Sequence, residues 1–145
     1  MSVDSRTLGW LTRALTHEMS AVQQYLAQSI LARLQGDPIQ EEKFRQDAIE
    51  ELEHAERLME RLILCGVAPS AGNLMPARLG RNQDELLMFN RMLEVNAVHL
   101  YQDALSHAQR MRDEETAALL ESILNDEITH INKIDDMRAE QNELG

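Results

Sequence analysis

The sequence predicts an all-α chain, a four-helix bundle with one long crossover between the second and third helices, and three observations carry that expectation. Only 3% of the 145 residues are aromatic, with six glycines and three prolines, a composition poor in strand formers and turn punctuation. Apolar residues recur at intervals of three, four and seven through four long blocks, the spacing of a helix face. Two of the three connections between the blocks are short and one is long. Short turns join antiparallel neighbours, and a long link returns the chain to the end from which it came. A chain of 145 residues is enough for a single domain, 1–145, to bury a core without covalent staples.

The elements follow in order. Asp4 or Ser5 can cap the first helix, on which Leu8, Leu11, Leu15, Val22 and Leu26 form the apolar stripe as far as Gln35. Gly36-Asp37-Pro38 then supplies a left-handed stop, a capping carboxylate and a first-turn residue whose missing N–H costs nothing. Phe44, Ala48, Glu51, Ala55, Leu58 and Leu62 mark the second helix, which ends at Cys65-Gly66. The stretch from Gly66 to Asn82 holds Gly72, Gly80, Pro69 and Pro76 and is the long connection. Seventeen residues reach about 55 Å when extended, more than the ~42 Å of a 28-residue helix, so this link can run the length of the bundle. The third helix starts near Gln83, follows Leu86, Met92, Leu93, Val98 and Leu105 and stops at Arg112. Asp113 can cap the fourth, which carries Leu120, Ile123, Leu124, Ile131 and Ile134 nearly to the end.

Charge and cysteine usage narrow the partners. Fourteen basic against 25 acidic residues give a net charge of −11, which repels a phosphate backbone or an anionic membrane and favours cations. Nucleic acid and membrane are therefore not expected as partners. Cys65 is the single cysteine, so an internal disulfide, a cysteine-based zinc site and a single-chain iron–sulfur cluster are excluded. With no cleavable leader and no long apolar window in the sequence, the expected location is the cytoplasm.

The two halves repeat each other. A shift of 76 lays Glu18-Met-Ser-Ala-Val-Gln-Gln-Tyr25 on Glu94-Val-Asn-Ala-Val-His-Leu-Tyr101, and Glu50-Glu51-Leu52-Glu53-His54 on Asp126-Glu127-Ile128-Thr129-His130. Six residues stand out as one constellation: Glu18, Glu51, His54, Glu94, Glu127 and His130. Each Glu-x-x-His puts a carboxylate and an imidazole on one helix face less than a turn apart, and a further Glu lies 33 residues before each pair. Four carboxylates among apolar neighbours repel each other and would be protonated, whereas two divalent cations neutralise them. Carboxylates with imidazoles suit iron or manganese. A lone Glu-x-x-His would be a surface ion pair by default; two of them, linked by a repeat, are not readily obtained from a solvated face.

Other residues take plainer roles. Tyr25 and Tyr101, seven residues after Glu18 and Glu94, are core tyrosines or hydrogen-bond partners of a ligating carboxylate. His17, His99 and His107 lie off the ligand faces and are expected at the surface or an interface. Met19, Met59, Met88, Met92 and Met111 are expected as core or interface filler.

These motifs resemble the bacterioferritin-type members of the ferritin-like di-iron carboxylate family, from Leu8 to Met137. The resemblance rests on Glu18-x-x-Ala-Val-x-Gln-Tyr25, Glu51-x-x-His54-Ala, Arg57, Leu64-x-Gly66-x-x-Pro69, Glu94 and Leu124-x-Asp126-Glu127-x-x-His130-Ile131. It implies that Glu51 and Glu127 bridge two irons, that Glu18 and Glu94 are terminal ligands, and that His54 and His130 give one nitrogen to each. The implied activity is oxidation of Fe(II) by dioxygen or peroxide, a ferroxidase reaction serving iron storage or detoxification, with two Fe ions per chain and manganese as the other ion the donors accept. A non-storage di-iron or di-manganese oxidoreductase such as a rubrerythrin-like peroxide reductase, and a helical interaction protein with a vestigial site, are the alternatives. Haem is not expected, because Leu52 occupies the place of the family's haem-ligating methionine. Gln46 stands where many members carry an inner-surface histidine, and the sequence ends directly after the fourth helix without the family's short fifth. A homodimer through a face carrying Leu52 and Met59 is the expected minimum, with the 24-subunit cage as the alternative assembly.

Overall fold

A computed structural model describes residues 3–144. Its elements are α1 (Ser5–Leu34), α2 (Pro38–Leu64), α3 (Gln83–Arg110) and α4 (Glu114–Leu144), with no strand among the described residues. The four helices fall on the four blocks read from the sequence. The chain divides into two compact units, one ending at Leu79 and one beginning at Gly80.

The first unit is a helical hairpin of α1 and α2. Its partners converge symmetrically on the turn, with Arg33 bound to Glu41 at 2.7 Å and Glu18 beside His54, as two antiparallel helices require. The cap of α1 is Asp4, whose carboxylate accepts from the backbone N–H of Arg6 and Thr7 and from the Thr7 hydroxyl. The turn is built as the sequence predicts. Gly36 takes a left-handed φ of +76° and its N–H donates to the Arg33 carbonyl at 3.0 Å, while Asp37 N–H donates to the Ala32 carbonyl at 2.9 Å. The Asp37 carboxylate then accepts from Gln40 N–H, opening α2 on Pro38. Leu11, Leu15 and Tyr25 of α1 and Phe44, Leu58 and Leu62 of α2 are buried, together with the alanines at 14, 21, 48 and 55.

The second unit repeats this construction with α3 and α4. Arg91 binds Asp135 at 2.7 Å and Arg138 lies 3.7 Å from Asp84, again converging on the turn. Arg112 N–H donates to the Gln109 carbonyl and Asp113 N–H to the Ala108 carbonyl, and the Asp113 carboxylate accepts from both N–H and hydroxyl of Thr116. The 76-residue shift thus carries Gly36-Asp37 onto Arg112-Asp113, extending the repeat from the ligands to the turns. The difference is that an arginine, at φ 57°, holds the left-handed position, where a Cβ is strained.

The crossover segment runs along α1. Gly72 N–H donates to the Thr16 hydroxyl at 2.8 Å, Met75 N–H to the Ser20 hydroxyl at 3.0 Å, and Arg78 N–H to the Gln24 side-chain oxygen at 3.4 Å. The Gln23 and Gln28 amides donate to the Met75 and Arg78 carbonyls at 2.9 and 3.0 Å. Segment and helix therefore advance in the same direction, the lengthwise path that the length arithmetic allows. Side chains at four-residue intervals satisfy backbone groups that no helix or sheet pairs.

Three expectations change. Leu26 and Met92, read as stripe residues, are 43% and 47% exposed. Periodicity marks a side chain as apolar but does not say whether another element reaches that turn of a long helix. His107, expected at the surface or an interface, is buried within the chain on α3, as are Ala104 and Ala108, because α3 buries a face wider than the side that carries Glu94.

Replacing Arg112 by glycine is expected to stabilise the protein by roughly 0.5–1 kcal/mol, and Gly36→Ala to destabilise it by about 1 kcal/mol. Midpoints of denaturant unfolding at unchanged slope measure both.

Candidate metal centre

Each hairpin buries a complete set of two carboxylates and one imidazole. In the first, Glu18 comes from the middle of α1 and Glu51 and His54 from successive turns of α2. Both carboxylates are fully buried and the His54 side chain is 5% exposed. His54 Nδ1 lies 3.5 Å from Glu18 Oε2 and 3.8 Å from Glu51 Oε1. In the second, Glu94 comes from α3 and Glu127 and His130 from α4, the carboxylates again fully buried. His130 Nδ1 lies 3.7 Å from Glu94 Oε1 and 3.3 Å from Glu127 Oε1. One donor atom from each of the three residues in a hairpin falls within 4.8 Å of the other two.

Helical geometry explains why the sets assemble. Residues three apart stand on one face, so Glu51 and His54, or Glu127 and His130, point together without any loop to arrange them. The antiparallel partner supplies the third donor at the level where the hairpin's residue numbers meet. Because both imidazoles turn Nδ1 toward the carboxylates, Nδ1 is the atom offered to a shared cation. Ligands about 2.1 Å from one ion stand on the order of 3–3.5 Å apart, and the observed separations of 3.3–3.8 Å lie close to that range.

Electrostatics show what the arrangement costs without a cation. Burial, and after it the charge of Glu127, holds the Glu94 carboxyl well above the ordinary carboxylate range, with His130 pulling the other way. For His130, burial alone would lower the pKa. Hydrogen bonds and charge from Glu127 and Glu94 outweigh it and push the imidazole up to about 11. The second hairpin therefore retains protons that an exposed trio would release, and a divalent ion can take the place of those protons. The donor set fits a hard to borderline divalent metal of the iron or manganese kind.

Comparison with known proteins agrees with this geometry. The ferritin-like domain family matches residues 10–142. The chain belongs to that family. Among its relatives, the Rhodobacter capsulatus bacterioferritin is 27% identical over 145 residues, covering 100% of this chain and 90% of the relative. The Brucella melitensis bacterioferritin is 29% identical over 132 residues, covering 91% and 82%. A solved structure of the Rhodobacter capsulatus protein, described with a metal-free dinuclear site and a haem iron in a crystallographic special position, matches with a TM-score of 0.96 at 27% identity. It covers 100% of this chain and 91% of that one. The all-α, four-helix ferritin-like fold read from the sequence is the fold of this bacterioferritin.

All six residues singled out from the sequence lie in the two buried sets of this ferritin-like chain. Tyr25 and Tyr101 are buried, as either of their expected roles requires, His99 is exposed and His17 half-buried. What the sequence reading passed over is the row Thr16, Ser20, Gln24 and Gln28. Its signal was present as four polar residues at strict four-residue spacing ahead of a long Pro- and Gly-containing link.

Because metal and protons compete for these atoms, divalent-ion affinity is expected to rise roughly tenfold per pH unit for each proton displaced. His130 keeps its proton up to about 11, so the rise should continue throughout neutral pH. Calorimetric Co(II) titration in buffers of different ionisation enthalpy measures both affinity and proton release, and affinity independent of pH would contradict the assignment.

Proposed function

We propose that the two buried sets act together as one di-iron centre that oxidises Fe(II) with dioxygen or peroxide, as part of bacterioferritin-like iron storage or detoxification. The observation that carries this reading is the repetition of a buried Glu, Glu, His Nδ1 set in both hairpins of a ferritin-like chain. In this reading Glu51 and Glu127 bridge the ions, Glu18 and Glu94 are terminal ligands, and His54 and His130 each hold one iron. Residues 1–145 act as one ferritin-like domain.

Iron supplies the electrons that reduce the oxidant, which no side chain here could provide. The protein's part is to hold the ions and exclude bulk water. Eight carboxylate oxygens and two Nδ1 atoms, on rigid helices with fully buried carboxylates, bring Fe(II) in from an acidic surface. The site must also cycle between two charge states, and carboxylates can change between one-oxygen and two-oxygen coordination without moving the backbone. Manganese satisfies the same donors, so a di-manganese form is the second metal state.

The assembly proposed is at least a homodimer in the cytoplasm. No helix among the described residues is long and apolar enough to cross a membrane. Leu26 and Ile30 of α1 and Ile49 and Leu52 of α2 are exposed apolar side chains of the kind a second copy covers. Leu52 offers no axial ligand to haem iron, so the proposed cofactor set is iron without haem. A non-storage oxidoreductase would use the same six residues and would differ in holding only two irons per chain.

Glu51→Ala or Glu127→Ala is expected to lower the initial rate of Fe(II) oxidation on the order of a hundredfold or more while leaving a helical protein. Stopped-flow absorbance measures the rate and circular dichroism the fold, and near-normal oxidation in both variants would sink the bridging roles. Storage is read from iron loading of the purified assembly with its mass by light scattering. Loading that stops near two irons per chain selects the non-storage oxidoreductase. Expression with a haem precursor is expected to give no Soret band.

A further inference from the structure

The crossover segment is bonded to α1 at a telling place. Thr16 and Ser20, which receive the N–H groups of Gly72 and Met75, stand two residues before and two residues after Glu18. Two residues along a helix is a rotation of about 200°, so both hydroxyls lie on the back of α1 while Glu18 projects from the front. Ser20 is itself buried, and the Thr16 hydroxyl also donates to the Thr12 carbonyl. The segment therefore clamps the rear of the helix at the level of the ligand. Gln23, Gln24 and Gln28 continue the clamp for two further turns.

The internal repeat shows what the other half lacks. A shift of 76 carries Thr16 and Ser20 onto Met92 and Asn96, which flank Glu94 in the same way. Both are exposed. The back of α3 at the level of its ligand thus faces solvent, where the back of α1 carries an extended chain. The ligand sets of the two hairpins match in residue type, in burial of the carboxylates and in spacing, but only one of the two helices that bear the lone Glu is braced from behind.

We propose that the crossover segment is a brace that makes the two metal positions unequal, with Thr16 and Ser20 as positioning residues acting through α1 on Glu18. The proposal rests on the reading of the six residues as metal ligands and goes beyond it by ranking the two positions. A ligand whose helix is held in place before the ion arrives loses less freedom on binding and opens less often afterwards. The ion held by Glu18 and His54 is the retained one. The ion held by Glu94 and His130 is the exchangeable one, because the back of α3 at Met92 and Asn96 is exposed and has no crossover segment to release first.

Two measurements on the full-length protein test this. Hydrogen exchange of the metal-free protein should show amides at 15–24 of α1 opening at least about tenfold more slowly than those at 91–100 of α3. Equal protection would overturn the brace. Co(II) alone, loaded to two per chain and withdrawn by excess chelator, should leave in a slow and a fast phase of equal amplitude. Glu18→Ala should remove the slow phase and Glu94→Ala the fast one. The pair Thr16→Val with Ser20→Ala should speed the slow phase about tenfold toward the fast one and leave the fast phase alone. Thr16→Ser with Ser20→Thr, which keep the hydroxyls, should restore it. A single phase in the unaltered protein, or two phases that shift together in the variant, would overturn the ranking. If the double variant does not fold, Ser20→Ala by itself and the exchange contrast in the unaltered chain still decide. Failure to bind any Co(II) would overturn the ligand reading and the ranking built on it, while the exchange contrast stands or falls independently.

Discussion

Each hairpin takes two fully buried carboxylates and a largely buried imidazole into its interior, and most of the local architecture can be traced to that expense. An isolated carboxylate moved out of water is so costly that the group protonates instead, as Glu94 does when its pKa rises under burial and the charge of Glu127. The residue types around the donors answer this cost. His130 stays protonated far above its ordinary range and offsets part of the negative charge, and a divalent ion would offset more. A fold that buries such groups needs an external cation to be at ease, which ties its stability to its chemistry.

Long helices and tight hairpin turns are the means of holding the donors. A donor on a loop would move with the loop, whereas Glu51 and His54 are fixed to each other by the helix repeat and to Glu18 by the register of the hairpin. The register is in turn set by the Gly36-Asp37-Pro38 turn, and by Arg112-Asp113 in the second unit. Small residues at positions 14, 21, 48 and 55 leave room for the polar groups beside them while keeping the walls apolar. The two halves solve the same problem with the same parts, and they differ where Arg112 replaces a glycine and where the crossover covers α1.

The family comparison places the chain among ferritin-like proteins without making it a copy of any relative. The bacterioferritins it resembles are 25–29% identical to it, so most positions differ while the four-helix fold is kept at a TM-score of 0.96 for one of them. Leu52, 41% exposed on α2, belongs to the outer face, whereas the four carboxylates lie inside. The chemistry of the buried centre and the chemistry of the outer face are thus set by separate residues.

The fold class and the donors were legible in the sequence because both depend on spacing. Helix periodicity, a capping Asp after a left-handed position, and Glu-x-x-His repeated at a shift of 76 are local patterns, and local patterns survive in a linear string. The sequence by itself determined four helices, their turns and six candidate ligands. Only the tertiary structure decided which side chains are covered: that Leu26 and Met92 meet solvent while His107 does not, and that Thr16, Ser20, Gln24 and Gln28 carry the crossover. Burial and long-range hydrogen bonds depend on which element arrives at a given turn of a helix, a relation between residues some fifty positions apart that no periodicity within one helix encodes.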